Sequence, residues 1–125
     1  MKNSVAAIAA LFSLYAPIAH AEYTWQTWNE YRDHYTSGGP KVKMQGDLLD
    51  IYIAGIASSF NSANALLELH HEKKLYCIKE KNKQLAGWEL EGLLDYARAG
   101  ADTFRPDTPL SLAILLKAQQ IYPCP

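Results

Sequence analysis

Downstream of residue 22, apolar side chains recur every three or four residues in five stretches separated by polar or turn-forming residues. The first places Trp25, Trp28, Tyr31 or Arg32, and Tyr35 on one face of a helix. It is expected to begin near Thr24 and to stop before the turn signal Ser37, Gly38, Gly39 and Pro40. These aromatics read as core or dimer packing in preference to a ligand-stacking surface, because nothing in the stripe supplies polar anchors for a cofactor. After a short Lys-containing link, Gly46 and Asp47 lead into Leu48, Leu49, Tyr52, Ile53, Ile56 and Phe60, again at helical spacing. Gly55, Ala57 and Ser58 keep part of that helix thin, so another helix can approach closely; this is the expected central helix.

Residues 61–64, Asn-Ser-Ala-Asn, are either a break or the polar side of a continuing helix. Ala65, Leu66, Leu69, Lys73 and Tyr76-Cys77 then resume a helical pattern with charges on the other side. The run from Lys79 to Gln84 is the most polar and basic of the chain and is expected to be a solvent loop or helix end. Leu85, Trp88, Glu89, Gly92, Leu93 and Tyr96 predict a helix over residues 85–98, released at Gly100. A loop over residues 102–107 follows. Thr108 and Pro109 then read as a capping hydroxyl and a first-turn proline for a last helix that Pro123 stops. The predicted fold class is all-α, a small bundle of four or five helices with short connections.

The beginning of the chain changes the picture. Lys2 precedes an apolar stretch from Val5 to Tyr15, Pro17 breaks it, and Ala19-His20-Ala21 offers a small-residue cleavage site, so residues 1–21 read as a secretory signal peptide. The competing reading is a hydrophobic first helix of a cytosolic protein. The stretch is shorter than the roughly 20 apolar residues of a membrane span. Removing 21 of 125 residues leaves 104, residues 22–125, enough for a single small domain. Lys2 is the one base lost, so 11 Lys and Arg face 13 Asp and Glu, a formal charge of −2. Such a balance carries no footprint for a nucleic-acid backbone. Cys77 and Cys124 both remain; in an oxidising compartment an even pair bonds, the alternative being two buried thiols. The expected Cys77–Cys124 bridge fastens the C-terminal tail, and no Cys-x-x-Cys redox motif is present.

No motif points to catalysis, a metal or a cofactor. His70 and His71 are adjacent, so on a helix they point about 100° apart and meet one ion poorly, and His34 stands alone. There is no nucleophile elbow, no HExxH, no phosphate cradle and no dinucleotide fingerprint. Asp47 reads as a favourable first-turn charge, and Glu89, Glu91 and Asp95 as the wet side of a helix. An exported, cross-linked helical domain without a catalytic motif reads as a binding protein, and the 49% of residues in the hydrophobic class favours a protein partner or a self-association face over a small ligand.

Four segments carry a family likeness: residues 46–60 (GDLLDIYIAGIASSF), LYCI at 75–78, GWELEGLLDYARAG at 87–100, and PLSLAILLKAQQIYPC at 109–124. Together they resemble the immunity proteins that protect Gram-negative bacteria from peptidoglycan amidase effectors of type VI secretion. In that family a Gly-rich helix precedes a Cys-Ile step, a helix ending in Tyr, and a last helix ending in Phe/Tyr-Pro-Cys, matched here by Cys77-Ile78, Tyr96 and Tyr122-Pro123-Cys124. Some members carry a further Cys pair, one of them near the start of the Gly-rich helix; residues 49–52 have none, and the two-Cys form resembles the branch paired with the fourth class of these amidases.

The resemblance implies a periplasmic protein without catalysis, cofactor or metal. It implies a homodimer that holds an effector on each side and occludes the cleft of a cysteine amidase. Two loops are the candidates for entering that cleft: Lys79, Glu80, Lys81, Asn82, Lys83 and Gln84 in the first, and Asp102, Thr103, Phe104, Arg105 and Asp107 in the second. The alternative is a small periplasmic helical binding or chaperone-like protein with another protein partner.

Overall fold

The computed structural model describes residues 22–81, 83–100 and 104–125; the expected signal peptide, residues 1–21, lies outside the described residues. Four α-helices account for the described fold: α1 (Trp25–His34), α2 (Pro40–Leu69), α3 (Gly87–Ala99) and α4 (Leu110–Ile121), with a short 3-10 turn, Tyr35–Ser37, after α1. Thr24 starts α1 as its spacing predicts. Its hydroxyl accepts the Thr27 N–H at 3.3 Å, and the Thr27 hydroxyl accepts the Thr24 N–H at 3.3 Å, a reciprocal capping box. Gly38 and Gly39 then take φ of +65° and +110°, which L side chains rarely adopt, and Pro40 opens α2 with its φ already helical.

α2 runs unbroken for 30 residues, about 45 Å. The Lys-containing link over residues 41–45 is therefore its first turns, Asp47 is not a first-turn charge, and residues 61–64 are helix interior. Its end comes earlier than the pattern suggests. Residues 70–78 leave the helix: His71 adopts a left-handed φ of +57°, and the Glu72 N–H turns back to the Leu67 carbonyl at 2.8 Å. His70, His71, Glu72 and Lys73 are all exposed, so a continued helix would have had no apolar face to bury there.

The start of α4 also differs from expectation. The Thr108 hydroxyl makes no cap bond and the first helical residue is Leu110, whose N–H donates to the Tyr23 carbonyl at 2.8 Å. The Trp25 N–H donates in turn to the Thr108 carbonyl at 2.8 Å, so the backbones at the starts of α1 and α4 satisfy each other. Glu22 adds to this joint, accepting from the Tyr52 hydroxyl of α2 at 2.8 Å and from Ser111 of α4.

The core gathers the inner faces of all four helices. Trp28, Leu49, Ile53, Leu90, Leu94, Leu110 and Ile114 are essentially inaccessible, as is Leu85 just before α3. The aromatic stripe of α1 splits: Trp25, Trp28 and Tyr31 are core, whereas Tyr35 lies outside. Two ion pairs tie α1 to α3, Arg32 with Asp95 and Arg98 with Asp33. α3 crosses α2 closely, because Gly87 rests on Ala54 where a Cβ would come 3.3 Å from the Ala54 Cα. Among the described residues no helix is long and apolar enough to cross a membrane.

Cys77 and Cys124 form the expected disulfide, and the Cys77 N–H donates to the Tyr122 carbonyl at 2.8 Å beside it. The bond closes a loop of 47 residues, worth about 4 kcal/mol by chain entropy. Replacing both cysteines by serine is expected to lower the unfolding free energy by about that amount, read from denaturant titrations of the two proteins at equal slope.

Candidate functional site

The segment between α2 and α3, residues 70–86, has no regular structure yet is held at several points. Asn64 on α2 accepts the Leu75 N–H at 2.7 Å and donates to the Tyr76 carbonyl at 3.2 Å. One turn earlier, Asn61 donates to the Leu85 carbonyl at 3.0 Å and accepts from the Tyr76 hydroxyl at 3.3 Å. The Tyr76 ring is buried against Phe60, its hydroxyl lifted above its ordinary pKa by that burial, and Cys77 is bonded to the C-terminal tail. A long irregular connection fixed in this way is a common carrier of binding function.

The fixed segment projects Lys79, Glu80, Lys81, Lys83 and Gln84 to the surface; Asn82 lies outside the described residues. Lys83 is shared between Glu80 at 3.8 Å and Glu89 at 3.9 Å, which leaves Lys79 and Lys81 as the outermost charges. Between this segment and α2 runs a groove. One part, about 600 Å³, is lined by Ala54, Ser58, Ser62 and Ala65 on the helix and by residues 84–87 opposite. The adjoining part, about 430 Å³, shares Asn61, Ala65 and Gln84 and continues past Lys74, Tyr76, Lys81 and Lys83. Small side chains on α2 create the first part, and the two asparagines hold its far wall.

Large apolar side chains stand unpartnered near the groove. Trp88, next to Gly87, is 72% exposed, and Ile51, one turn before Ala54, is 71% exposed. Met44, Leu48, Leu66 and Leu69 extend this outward face of α2 toward both ends, with Gly55, Ser58 and Ser62 between them. A Cβ on Gly55 would meet nothing within 4 Å, so packing inside the protomer does not require a glycine there.

The second candidate loop is built differently. Phe104 packs its ring on Trp25 at 5.1 Å, and the Pro106 carbonyl accepts the Gln26 N–H at 3.1 Å, so this loop is pinned to the start of α1. Arg105 and Asp107 pair with each other at 3.1 Å in solvent, and Asp102 and Thr103 lie outside the described residues. The first loop precedes α3 and the second follows it, about 20 Å apart along that 13-residue helix. The structure therefore does not bring the two sets of candidate residues together.

Carboxylates expected on a wet helix side turn out to be specific. Asp47 pairs with Lys43 at 3.0 Å and Asp95 with Arg32, but Glu91 of α3 faces Asp50 of α2. Partial burial and the neighbouring Asp50 push the Glu91 carboxyl up to about 7, with Arg32 opposing the rise. Among the described residues no group of three or more His, Cys, Asp or Glu is arranged to hold a metal ion. Asn61 and Asn64, which in sequence read as a helix break or as the polar side of a continuing helix, are the residues that hold the segment.

Asn64→Ala is expected to lose about 1–2 kcal/mol and to speed hydrogen exchange at the Leu75 amide, while amides in α3 keep their protection. The Glu91 carboxyl has a folded pKa above its unfolded value, so its favourable contribution is complete below about pH 4.5 and is lost as the pH rises through about 7. Screened at this half-exposed position, the loss is on the order of 1 kcal/mol. Glu91→Gln should flatten the pH dependence of the melting temperature over that window and melt a few degrees higher than the native chain near pH 8, checked by thermal scans across pH. Comparison with known proteins finds no family model, no curated protein and no solved structure that matches this chain.

Proposed function

We propose that the chain is a periplasmic immunity protein, exported by its N-terminal signal, that binds a peptidoglycan amidase effector of type VI secretion and inhibits it by covering the active-site cleft. The observation that carries this reading is the set of exposed bases Lys79, Lys81 and Lys83, on a segment anchored at Leu75–Cys77 and at Leu85 and followed by the exposed Trp88. A concave hydrolase cleft is blocked best by a convex segment already held in its bound shape, because little ordering entropy remains to be lost on binding. Asn61, Asn64, Tyr76 and the disulfide supply that preorganisation. An aromatic ring beside the projection is the kind of side chain that dominates binding energy at protein interfaces. The disulfide accords with an oxidising compartment, where a cell-wall amidase would be met.

The outward face of α2 supports the homodimer in this proposal. Its apolar ends flank a thin centre at Gly55, a shape that lets two copies of the helix cross closely about a two-fold axis. A chaperone-like protein could use the same apolar face, but it would protect many clients and select no single one.

The test is a search of the neighbouring genes for a small Cys/His amidase, followed by peptidoglycan digestion by that enzyme with and without the purified protein. The native chain should abolish turnover and co-purify with the enzyme. Lys79→Glu with Lys81→Glu should weaken inhibition at least about tenfold with an unchanged melting temperature, since both side chains are exposed. Full inhibition by that double variant would remove residues 79–84 from the contact, and failure to bind the amidase at all would sink the functional reading.

A further inference from the structure

Both ends of the disulfide lie outside the helices. Cys77 sits in the irregular chain between α2 and α3, and Cys124 follows the last turn of α4. The bond joins no residue of the helical core, where Leu49, Ile53, Leu90, Leu94, Leu110 and Ile114 are inaccessible. Around Cys77 the chain is otherwise held at few points. Of residues 72–81 Tyr76 alone is buried, and the hydrogen bonds with Asn61 and Asn64 meet this stretch only at Leu75 and Tyr76.

The C-terminal tail meets this stretch from the other side. Beyond Ile121 it has no regular structure, and its Tyr122 carbonyl accepts the Cys77 N–H at 2.8 Å. Fixing residues 72–81 without a helix or sheet ladder costs conformational entropy that one buried ring and the bonds to two asparagines offset poorly. A covalent tie changes that balance, because the stretch then cannot leave α2 without lifting the tail of α4 with it. Both cysteines are only partly buried, so thiol exchange reaches them with the core intact.

We propose that the Cys77–Cys124 bond is a redox switch on residues 72–81: the reduced chain keeps its four-helix core and leaves this stretch mobile, and oxidation fixes it. The bond is made by exchange with a disulfide-bearing oxidant. One cysteine thiolate attacks that disulfide, and the second displaces the resulting mixed disulfide. The two thiol protons and two electrons end on the oxidant, which leaves as a dithiol. A reducing cytoplasm keeps the bond from persisting, and an oxidising compartment closes it. The consequence for inhibition rests on the proposed binding of an amidase: Lys79 and Lys81 take their binding shape after export and not before. The order of the stretch is a property of this chain alone.

The full exported chain is compared in three forms: oxidised, reduced with dithiothreitol, and carrying Cys77→Ser with Cys124→Ser. In the reduced and serine forms the backbone order parameters of Leu75, Lys79 and Lys81 should fall from about 0.85 to below about 0.6. Those of Leu90, Leu94 and Ile114 should stay at about 0.85, with the helical circular dichroism kept. Reoxidation should restore the first set in the native chain and leave the serine variant unchanged. In the digestion assay the serine variant should inhibit at least about tenfold more weakly than the oxidised chain. Order retained at those three amides after reduction would overturn the proposal. Unfolding of the core would overturn it too, since the bond would then fasten the whole domain. Equal inhibition by the oxidised and serine forms would overturn the switch as a control of binding. An oxidised chain that inhibits no amidase would sink the amidase reading alone, with the order parameters still deciding the switch.

Discussion

A helix of 30 residues packed against helices of 10, 13 and 12 is the geometric constraint behind most of this structure. At 1.5 Å per residue α2 spans about 45 Å, whereas no partner exceeds about 20 Å. α3 covers the middle of α2 through the close contact of Gly87 with Ala54, and α1 meets its first turns through the Gly38-Gly39 corner. The last turns have no helix to pack on. They are covered by irregular chain, residues 70–86, or left exposed, as at Leu66 and Leu69. A loop used as a wall brings backbone polar groups with it, and these must be paired when covered. Asn61 and Asn64 meet that need by receiving an N–H and donating to two carbonyls of the covering segment.

The same constraint explains why the projected lysines belong to a rigid surface. Asn64 fixes the segment at Leu75 and Tyr76, the disulfide fixes it at Cys77, and Asn61 fixes it again at Leu85. Lys79, Lys81 and Lys83 lie between these anchors. Under the proposed inhibitory role the charged stretch binds, but α2 and the C-terminal tail determine where it points. A substitution at Asn64 or Cys124 therefore acts on the same surface as one at Lys81, through order in place of charge.

Much of the helix content was legible because the apolar sets obey a 3.6-residue period and turn residues delimit them. Trp25, Trp28 and Tyr31 are core as their spacing implies, and the Thr24 cap and Gly38-Gly39 corner follow from local chemistry. The departures come from contacts distant in sequence. Residues 70–78 have a helical pattern, yet the Leu75 N–H and Tyr76 carbonyl are taken by Asn64 and the cysteine by a bridge 47 residues away. Thr108 has the chemistry of a cap, but the carbonyl of Tyr23 reaches the Leu110 N–H first. The polar run over residues 79–84 was visible as a surface; the groove beside it was not, because its far wall depends on two asparagines that read equally well as a helix break or a wet face.

Charge placement followed the same division. Lys43 and Asp47 sit four apart on one helix and form the pair that spacing favours. Asp50 and Glu91 are on different helices and face each other only because Gly87 lets α3 lie close on α2. The price is a carboxyl held partly protonated near neutral pH in a small domain whose stability margin is narrow. Asp50 and Asn64 are 14 residues apart on α2, about 20 Å of straight helix, so the acidic corner and the anchored loop stand well apart. One long helix thus carries an acidic corner near its start and an anchored loop at its end, with the short helices serving to hold both in place.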